Sequence, residues 1–500
     1  MKKRFILLLA IVLLLSASLF ASCVKKPGGD PTPPDPPKDE VAEAIGFAKQ
    51  NYGNREFKIL LNNSAGFDSD FIAESTDSDT VKAETYRRNS ACEEYLGISL
   101  IYDPKPGNWN SSMPEDLRQL IMTDSCDYDL VVMGLNTGII GGEISSYKNI
   151  MEMNSVNLNH SWWVQDMVEQ NSINEQLYFL CGDACTTNYS SIGCVFANLS
   201  VAEQFNVDVD FYQLVNDGNW TMEEFYTQFK KVSMDANSDD GALDPAKGDT
   251  VGWLVCEDGV PVRLMWSGCG FNLISRQDNG TFALCDRLDD RMITFISGLK
   301  AAWDDEHSAY AAATSDKTSA QVMVDTFVDN RAFLVASMLK TAESFQTSQI
   351  RSKFAFLPLP KYNADQVDYI STNMARYNAL FFPVVVKDPT LSGQVAEFMG
   401  YYGQRYIIPA YYDTSLKYRQ NDAEANIAML DLIREKLIVT PNESYGVIGG
   451  SDSIMYLTQL NPLTTGIAGK NFYTNPTSVW ETTYNTIYDK IDSYVFQYYQ

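Results

Sequence analysis

The chain has 500 residues and a mass of 56.1 kDa, too long for one ordinary core, so two domains or one large two-lobed body is expected. Its 45% hydrophobic, 20% charged and 12% aromatic residues mark a globular protein. Lys plus Arg total 38 against 64 Asp plus Glu, a formal charge of −26. That leaves no broad basic surface to neutralise phosphates and argues against a nucleic-acid partner. Only two histidines occur, His160 and His307, which removes most zinc, haem, Ser-His and Cys-His chemistry.

Met1-Lys2-Lys3-Arg4 is followed by the apolar run Phe5 to Leu15 and then by Ser16, Ala17, Ser18, Ala21 and Ser22 before Cys23. A charged start, a short apolar stretch and a small-residue exit predict a secretory signal over residues 1–22. A spanning helix would need about 20 apolar residues. Leu19-Phe20-Ala21-Ser22-Cys23 resembles the lipobox of bacterial lipoproteins, with Phe20 standing where an aliphatic residue is usual. The resemblance implies lipidation of Cys23 and a chain anchored in the cell membrane, on its extracytoplasmic face. Residues 23–40 hold Pro27, Pro31, Pro33, Pro34, Pro36 and Pro37, an extended spacer rising ~3.1 Å per residue. Removing residues 1–22 takes away Lys2, Lys3, Arg4 and no acid, moving the charge from −26 to −29. Such acidity favours a soluble monomer.

From Phe57 the chain alternates. Phe57 to Leu61 reads as a strand, Val81 to Leu96 as a helix, Ile98 to Tyr102 as a strand, a helix starts near Pro114, and Tyr128 to Gly134 is a third strand, apolar as buried parallel strands are. This βαβαβ order predicts an α/β lobe with a parallel sheet, whose ligands sit off the carboxyl ends of the strands. A strand is expected over Ile192 to Asn198, and Thr221 with Glu224 forms a capping-box pattern. A helix-rich region then runs to about Asn330. Strand signals follow at Ala332 to Ser337, Phe354 to Pro358 and Asn378 to Val386, then helices over Val395 to Tyr406 and Asp422 to Lys436.

Five segments in order carry a family resemblance: Tyr86-Arg87-Arg88-Asn89 with Glu93-Glu94; Tyr128-Asp129-Leu130-Val131; Ser161-Trp162-Trp163 leading to Leu177-Tyr178 and Gly182-Asp183; Asn219-Trp220-Thr221-Met222-Glu223-Glu224-Phe225; and Arg331 to Val335 through Phe354 to Tyr362. Together they resemble the extracellular solute-binding proteins of ABC importers, in the group that includes sugar binders. The resemblance implies an α/β, two-lobed periplasmic-binding-protein-like (type II) fold with a hinge and a cleft that closes on ligand. Lobe one would comprise 41–190 plus 362–400, and lobe two 195–358 plus 405–500. It also implies a carbohydrate ligand, an oligosaccharide above all, delivery to separate permease subunits, no cofactor and no catalysis.

Sugar recognition needs aromatic faces for the apolar side of a pyranose and amides or carboxylates for its hydroxyls. Asn62, Asn63 and Ser64 follow the first strand, and turn chemistry is their plain alternative. Gly134 and Leu135 end the third strand. Asp183 is a candidate acceptor. Arg263 and Trp266 fall where the family places a cleft-facing segment, against a core role for the indole. Ser337 and Met338 end a buried strand, and Tyr377 and Asn378 precede another. Trp162 and Trp163 read as packing.

Three other readings stay open. Asp235-x-Asn237-x-Asp239-Asp240-Gly241 alternates oxygens as a calcium loop does, but its glycine arrives one place late and Ala246 sits where the last acid belongs, so a solvated acidic loop is expected. Cys181, Cys185 and Cys194 lack a zinc-ribbon spacing and a nearby histidine, and Cys194 and Cys285 read as strand residues that act as small buried hydrophobes. The functional rival is a surface-anchored glycosidase with paired carboxylates, although no Gly-x-Ser-x-Gly or His-Glu-x-x-His motif occurs.

Overall fold

The computed structural model describes residues 39–62, 70–75, 79–105, 112–140, 143–236, 243–256, 260–373, 377–412, 423–448, 454 and 474–496. The predicted signal, Cys23 and the proline spacer lie outside the described residues, as do positions 237–241 of the acidic loop. The chain divides into a unit Met1–Ala48 and a main body Lys49–Gln500. In the first, helix α1 (Glu40–Ile45) begins where the Asp39 carboxylate accepts the Ala42 N–H at 3.1 Å and ends at Gly46, whose φ of 82° needs a residue without Cβ.

The main body opens with strand β1 (Arg55–Asn62), helix α2 (Thr80–Leu96), strand β2 (Ile98–Lys105), helix α3 (Met113–Met122) and strand β3 (Leu130–Gly134), the alternation the sequence predicts. Both β2 and β3 pair with β1 in parallel, with Arg55 opposite Ile98 and Ile59 opposite Leu130. The sheet is not wholly parallel, as expected, but mixed: strand β12 (Asn378–Phe381) lies antiparallel on the far side of β3. It comes directly from the second sheet, without the helical crossover that a parallel return requires. Nor does it run on to Val386: it stops at Phe381, just before Pro383, which has no N–H to donate.

The second sheet runs β11 (Phe354–Leu357), β4 (Gly193–Asn198), β10 (Ala332–Met338), β6 (Thr250–Cys256) and β5 (Ser233–Met234), with β9 (Ser308–Ala311) also on β6. The stretch expected to be helix-rich therefore holds β6 and β9, besides a hairpin of β7 (Ile274–Arg276) and β8 (Phe282–Leu284). Every residue of β6 is buried, so its sequence shows no alternation and resembles a buried helix. Helix α6 (Met222–Phe229) starts at Thr221, whose hydroxyl accepts the Glu224 N–H at 3.3 Å. Only that half of the capping box forms, because the Glu224 carboxylate takes the Gln228 amide instead.

Helices α7 (Val260–Gly268) and α8 (Asp290–Trp303) follow, and α4 (Leu135–Ile140) and α5 (Gln165–Asn171) belong to the earlier half. Helix α9 (Pro389–Tyr402) begins earlier than its apolar pattern suggested, because Asp388 caps it and Pro389 suits its first turn. Helix α10 (Ala423–Glu435) lies on the second sheet, where Asn426 accepts from Phe356 N at 3.0 Å and donates to Phe354 O at 3.2 Å. Helices α11 (Pro441–Tyr445) and α12 (Pro476–Ile491) come after it.

Trp162 and Trp163 are packing residues with a polar purpose. Both indoles donate to the buried Glu397 carboxylate of α9, at 3.0 and 3.2 Å, and His160 Nδ1 lies 2.7 Å from it. Among the described residues none of the eight cysteines from Cys92 to Cys285 forms a disulfide, and six of them are buried.

Candidate functional site

Two segments join the sheets, and they run side by side. The Gly193 N–H donates to Thr372 O at 2.8 Å, Asn373 Nδ2 to Asn188 O at 3.2 Å, and Asn188 Nδ2 to Asn378 O at 3.2 Å. Gly193 opens β4 opposite Met338, the last residue of β10. Asn378 opens β12 opposite Gly134, the last residue of β3. The carboxyl ends of β3 and β10 thus both point at the paired crossovers, the place where open α/β sheets put their ligands.

On the first-sheet side, Gly134, Leu135, Tyr377 and Asn378 come together: the Leu135 N–H donates to Tyr377 O at 2.9 Å. The Tyr377 ring is fully buried, its hydroxyl beside Cys181. Asn378 Nδ2 donates to Asp70 at 2.8 Å, and Asp70 also accepts from Thr186 and Thr187. Arg88 fixes that corner, donating to Asp70 O at 2.7 Å and Ala184 O at 2.8 Å, while Asn89 Nδ2 holds Phe71 O. Here the Tyr86-Arg87-Arg88-Asn89 motif acquires a physical reason. Asn62 ends β1 at 1% exposure, and neither its Oδ1 nor its Nδ2 bonds a described residue. A buried amide left in that state costs about 1–3 kcal/mol. Asn63 and Ser64 lie outside the described residues.

On the second-sheet side, α7 crosses the ends of β4 and β10 so closely that a Cβ on Gly193 would collide with Leu264. Met338 packs with Val260, Leu264 and Leu359. The Ser337 hydroxyl is 2.8 Å from that of Thr341. Trp266 is buried against Phe271 and Phe295, with centroids at 5.1 and 5.9 Å, and its Nε1 has no partner among the described residues.

Arg263 faces a residue that sequence reading missed, Glu443 of α11. The Thr372 hydroxyl of the second crossover donates to this buried carboxylate. Burial pushes Glu443 up to about 7, against the pull of Thr372 and the Arg263 guanidinium. Its signal was present in Thr440-Pro441, a helix start, but nothing local ties a single acid there to Arg263, far earlier in the chain. Next to Glu443, the Asn442 side chain accepts from Leu273 N at 2.9 Å, fastening the segment that leads into β7.

Asp183 sits apart from these groups. Its carboxylate accepts from the Tyr189 hydroxyl and from Gln404 Nε2 at 2.9 Å, with Arg434 at 3.9 Å, and burial pushes it up to about 6. It binds the first crossover to the end of α9 and to α10, where Gly403 meets the Asp183 backbone with no room for a Cβ.

No family model and no curated protein matches this chain. Solved structures do. The galacto-N-biose-/lacto-N-biose I-binding protein of the ABC transporter from Bifidobacterium longum, in complex with lacto-N-biose, superposes with a TM-score of 0.54 at 10% identity, over 89% of this chain and 98% of that one. An ABC substrate-binding protein from Listeria monocytogenes in complex with cycloalternan gives 0.53 at 10% identity, over 87% and 98%. The apo form of RafE from Streptococcus pneumoniae gives 0.53 at 12%, over 87% and 99%. The chain thus carries the two-lobed α/β fold of the substrate-binding proteins of ABC transporters.

Proposed function

We propose that this chain is an extracytoplasmic substrate-binding lipoprotein of an ABC importer, anchored through Cys23, which captures a neutral oligosaccharide between its two sheets and delivers it to membrane permease subunits. The observation that carries the reading is the fold likeness to proteins solved with cycloalternan and lacto-N-biose, extending over nearly the whole of those chains. Local chemistry supports it. Asn62, at the end of β1, and the Trp266 indole of α7 are buried polar groups without described partners, and hydroxyls of a sugar would satisfy them. Lobes of 41–190 plus 362–400 and 195–358 plus 405–500 are adjusted in one respect, residues 362–370 going with the second, because Gln366 and Tyr369 bond Gly268 and Val215 there. The paired crossovers, at 185–193 and from Thr372 on, then form the hinge. The protein acts as a monomer and makes or breaks no bond.

Isothermal titration of the purified chain with raffinose, lacto-N-biose and cycloalternan tests the ligand class. Micromolar binding of at least one supports it, and binding of a peptide or polyamine alone overturns it. Turnover of chromogenic glycosides by the same preparation would instead establish the glycosidase.

A further inference from the structure

A groove of ≈ 430 Å³ opens on the second-sheet half, between α6 and α8, with Tyr362 and Asn363 at its edge. The volume lies within the about 300–1,000 Å³ of small-molecule sites. It is separate from the strand ends described above, though near them: Phe295 lines it and also packs on Trp266 at 5.9 Å, while Phe271 links Phe295 to Tyr362 at 5.2 and 5.4 Å. Its α6 wall, Met222, Glu223, Tyr226 and Thr227, comes largely from the Trp-Thr-x-x-Glu-Phe segment, whose Trp220 and Thr221 are explained by core packing and capping. One turn apart, Glu223 is exposed and Tyr226 half-buried, its ring 6.1 Å from that of Phe225 and 6.3 Å from that of Phe229.

The chemistry of the walls selects a ligand. Tyr226 and Tyr362, both half-buried, provide ring surfaces suited to the C–H face of a sugar, with the buried Phe295 ring behind them. The Thr227 hydroxyl donates to Glu223 O at 3.0 Å and that of Thr294 to Asp290 O at 2.7 Å. Each donor is committed to its own helix, so both oxygens, with the Glu223 carboxylate, face the groove as acceptors. Among the described residues, Lys230 on the lining is held by Asp305 at 3.0 Å, and the Arg291 guanidinium stacks over the Tyr362 ring, 5.0 Å from its centroid. With Lys230 held by a carboxylate and Arg291 stacked on Tyr362, apolar faces and an acceptor-rich rim suit a donor-rich neutral polyol. Gly298 leaves the floor bare: a Cβ there would come no nearer than 3.5 Å to the Tyr226 hydroxyl.

We propose that this groove is a second saccharide-binding site, which takes a neutral pyranose unit independently of the site between the sheets. The proposal does not rest on the importer reading.

The test is saturation-transfer NMR and calorimetry of the full chain with methyl α-D-glucopyranoside, methyl α-D-galactopyranoside and raffinose, to roughly 10 mM, well above the ~1 mM dissociation constant of a weak site. Gly298→Phe fills the floor, Tyr362→Ala removes a ring, and Glu223→Gln alters an exposed acceptor without touching the core. The expected result is a binding class lost in Gly298→Phe and weakened about tenfold in Tyr362→Ala and severalfold in Glu223→Gln, but retained in Trp266→Phe. Binding that responds only to Trp266→Phe, or no binding of any of the three probes, overturns the proposal while leaving the importer reading to its own titration. Should Gly298→Phe unfold, Glu223→Gln alone decides: unchanged binding there overturns it.

Discussion

The Thr372 hydroxyl donates to the Glu443 carboxylate, so a residue of the second crossover and a residue of α11 meet at one buried point beside Arg263. The bond ties the segment that leads from the second sheet to the first to the buried Glu443.

Glu443 stands at about 7 in the folded chain, above its ordinary 4.5, because burial disfavours the anion. The native state therefore holds more protons than the unfolded one between these values, and stability falls as pH rises through that window. Full ionisation costs on the order of 3 kcal/mol. Arg263, Asp166 and Thr372 face the group. Glu443→Gln is expected to lose little at pH 5 and to gain on the natural protein at pH 8. Thermal unfolding at both pH values checks this, and a difference that does not change with pH would remove Glu443 as the titrating group.

Trp266 is tested by removing only its N–H. Trp266→Phe keeps the ring contacts with Phe271 and Phe295 and should unfold at nearly the same temperature. If the indole donates to a sugar, affinity falls about fivefold to tenfold, the worth of one neutral hydrogen bond. Equal affinity would place Trp266 in the core alone.

Glu397→Ala strands the two indole N–H groups of Trp162 and Trp163 beside His160. Buried donors without acceptors predict a loss of about 3–5 kcal/mol in urea unfolding. Glu397→Gln retains an acceptor and should lose less. Equal losses would mean that shape, not hydrogen bonding, conserves the stability of this corner.

Gly403→Ala places a methyl against the backbone of Asp183. Overpacking of this kind costs about 1–3 kcal/mol, and denaturant unfolding should show it. A neutral result would mean that the end of α9 can shift away from the first crossover.

Much of the architecture was legible in the sequence because local patterns carry it. The run Phe57 to Leu61, the Thr221 cap and the apolar Leu130 to Gly134 each declare their own element through side-chain periodicity or a capping oxygen within a few residues. What was misread lies where burial on both faces erases the period, as in Thr250 to Cys256, and where strand direction depends on how the chain returns, as at Asn378.

The site divides in the same way. The sequence by itself determined that strands would end at Leu61, one residue short of the observed Asn62, at Gly134 and at Met338, and that the chain is acidic, histidine-poor and rich in the residues that read sugars. Only the tertiary structure decided that Asp183 spends its oxygens on Tyr189 and Gln404, and that Glu443 meets Thr372 and Arg263. Those outcomes depend on which distant segments pack together and which polar groups are thereby shut off from water. No pattern within one segment encodes such a meeting, because its energy belongs to the pair and not to either partner.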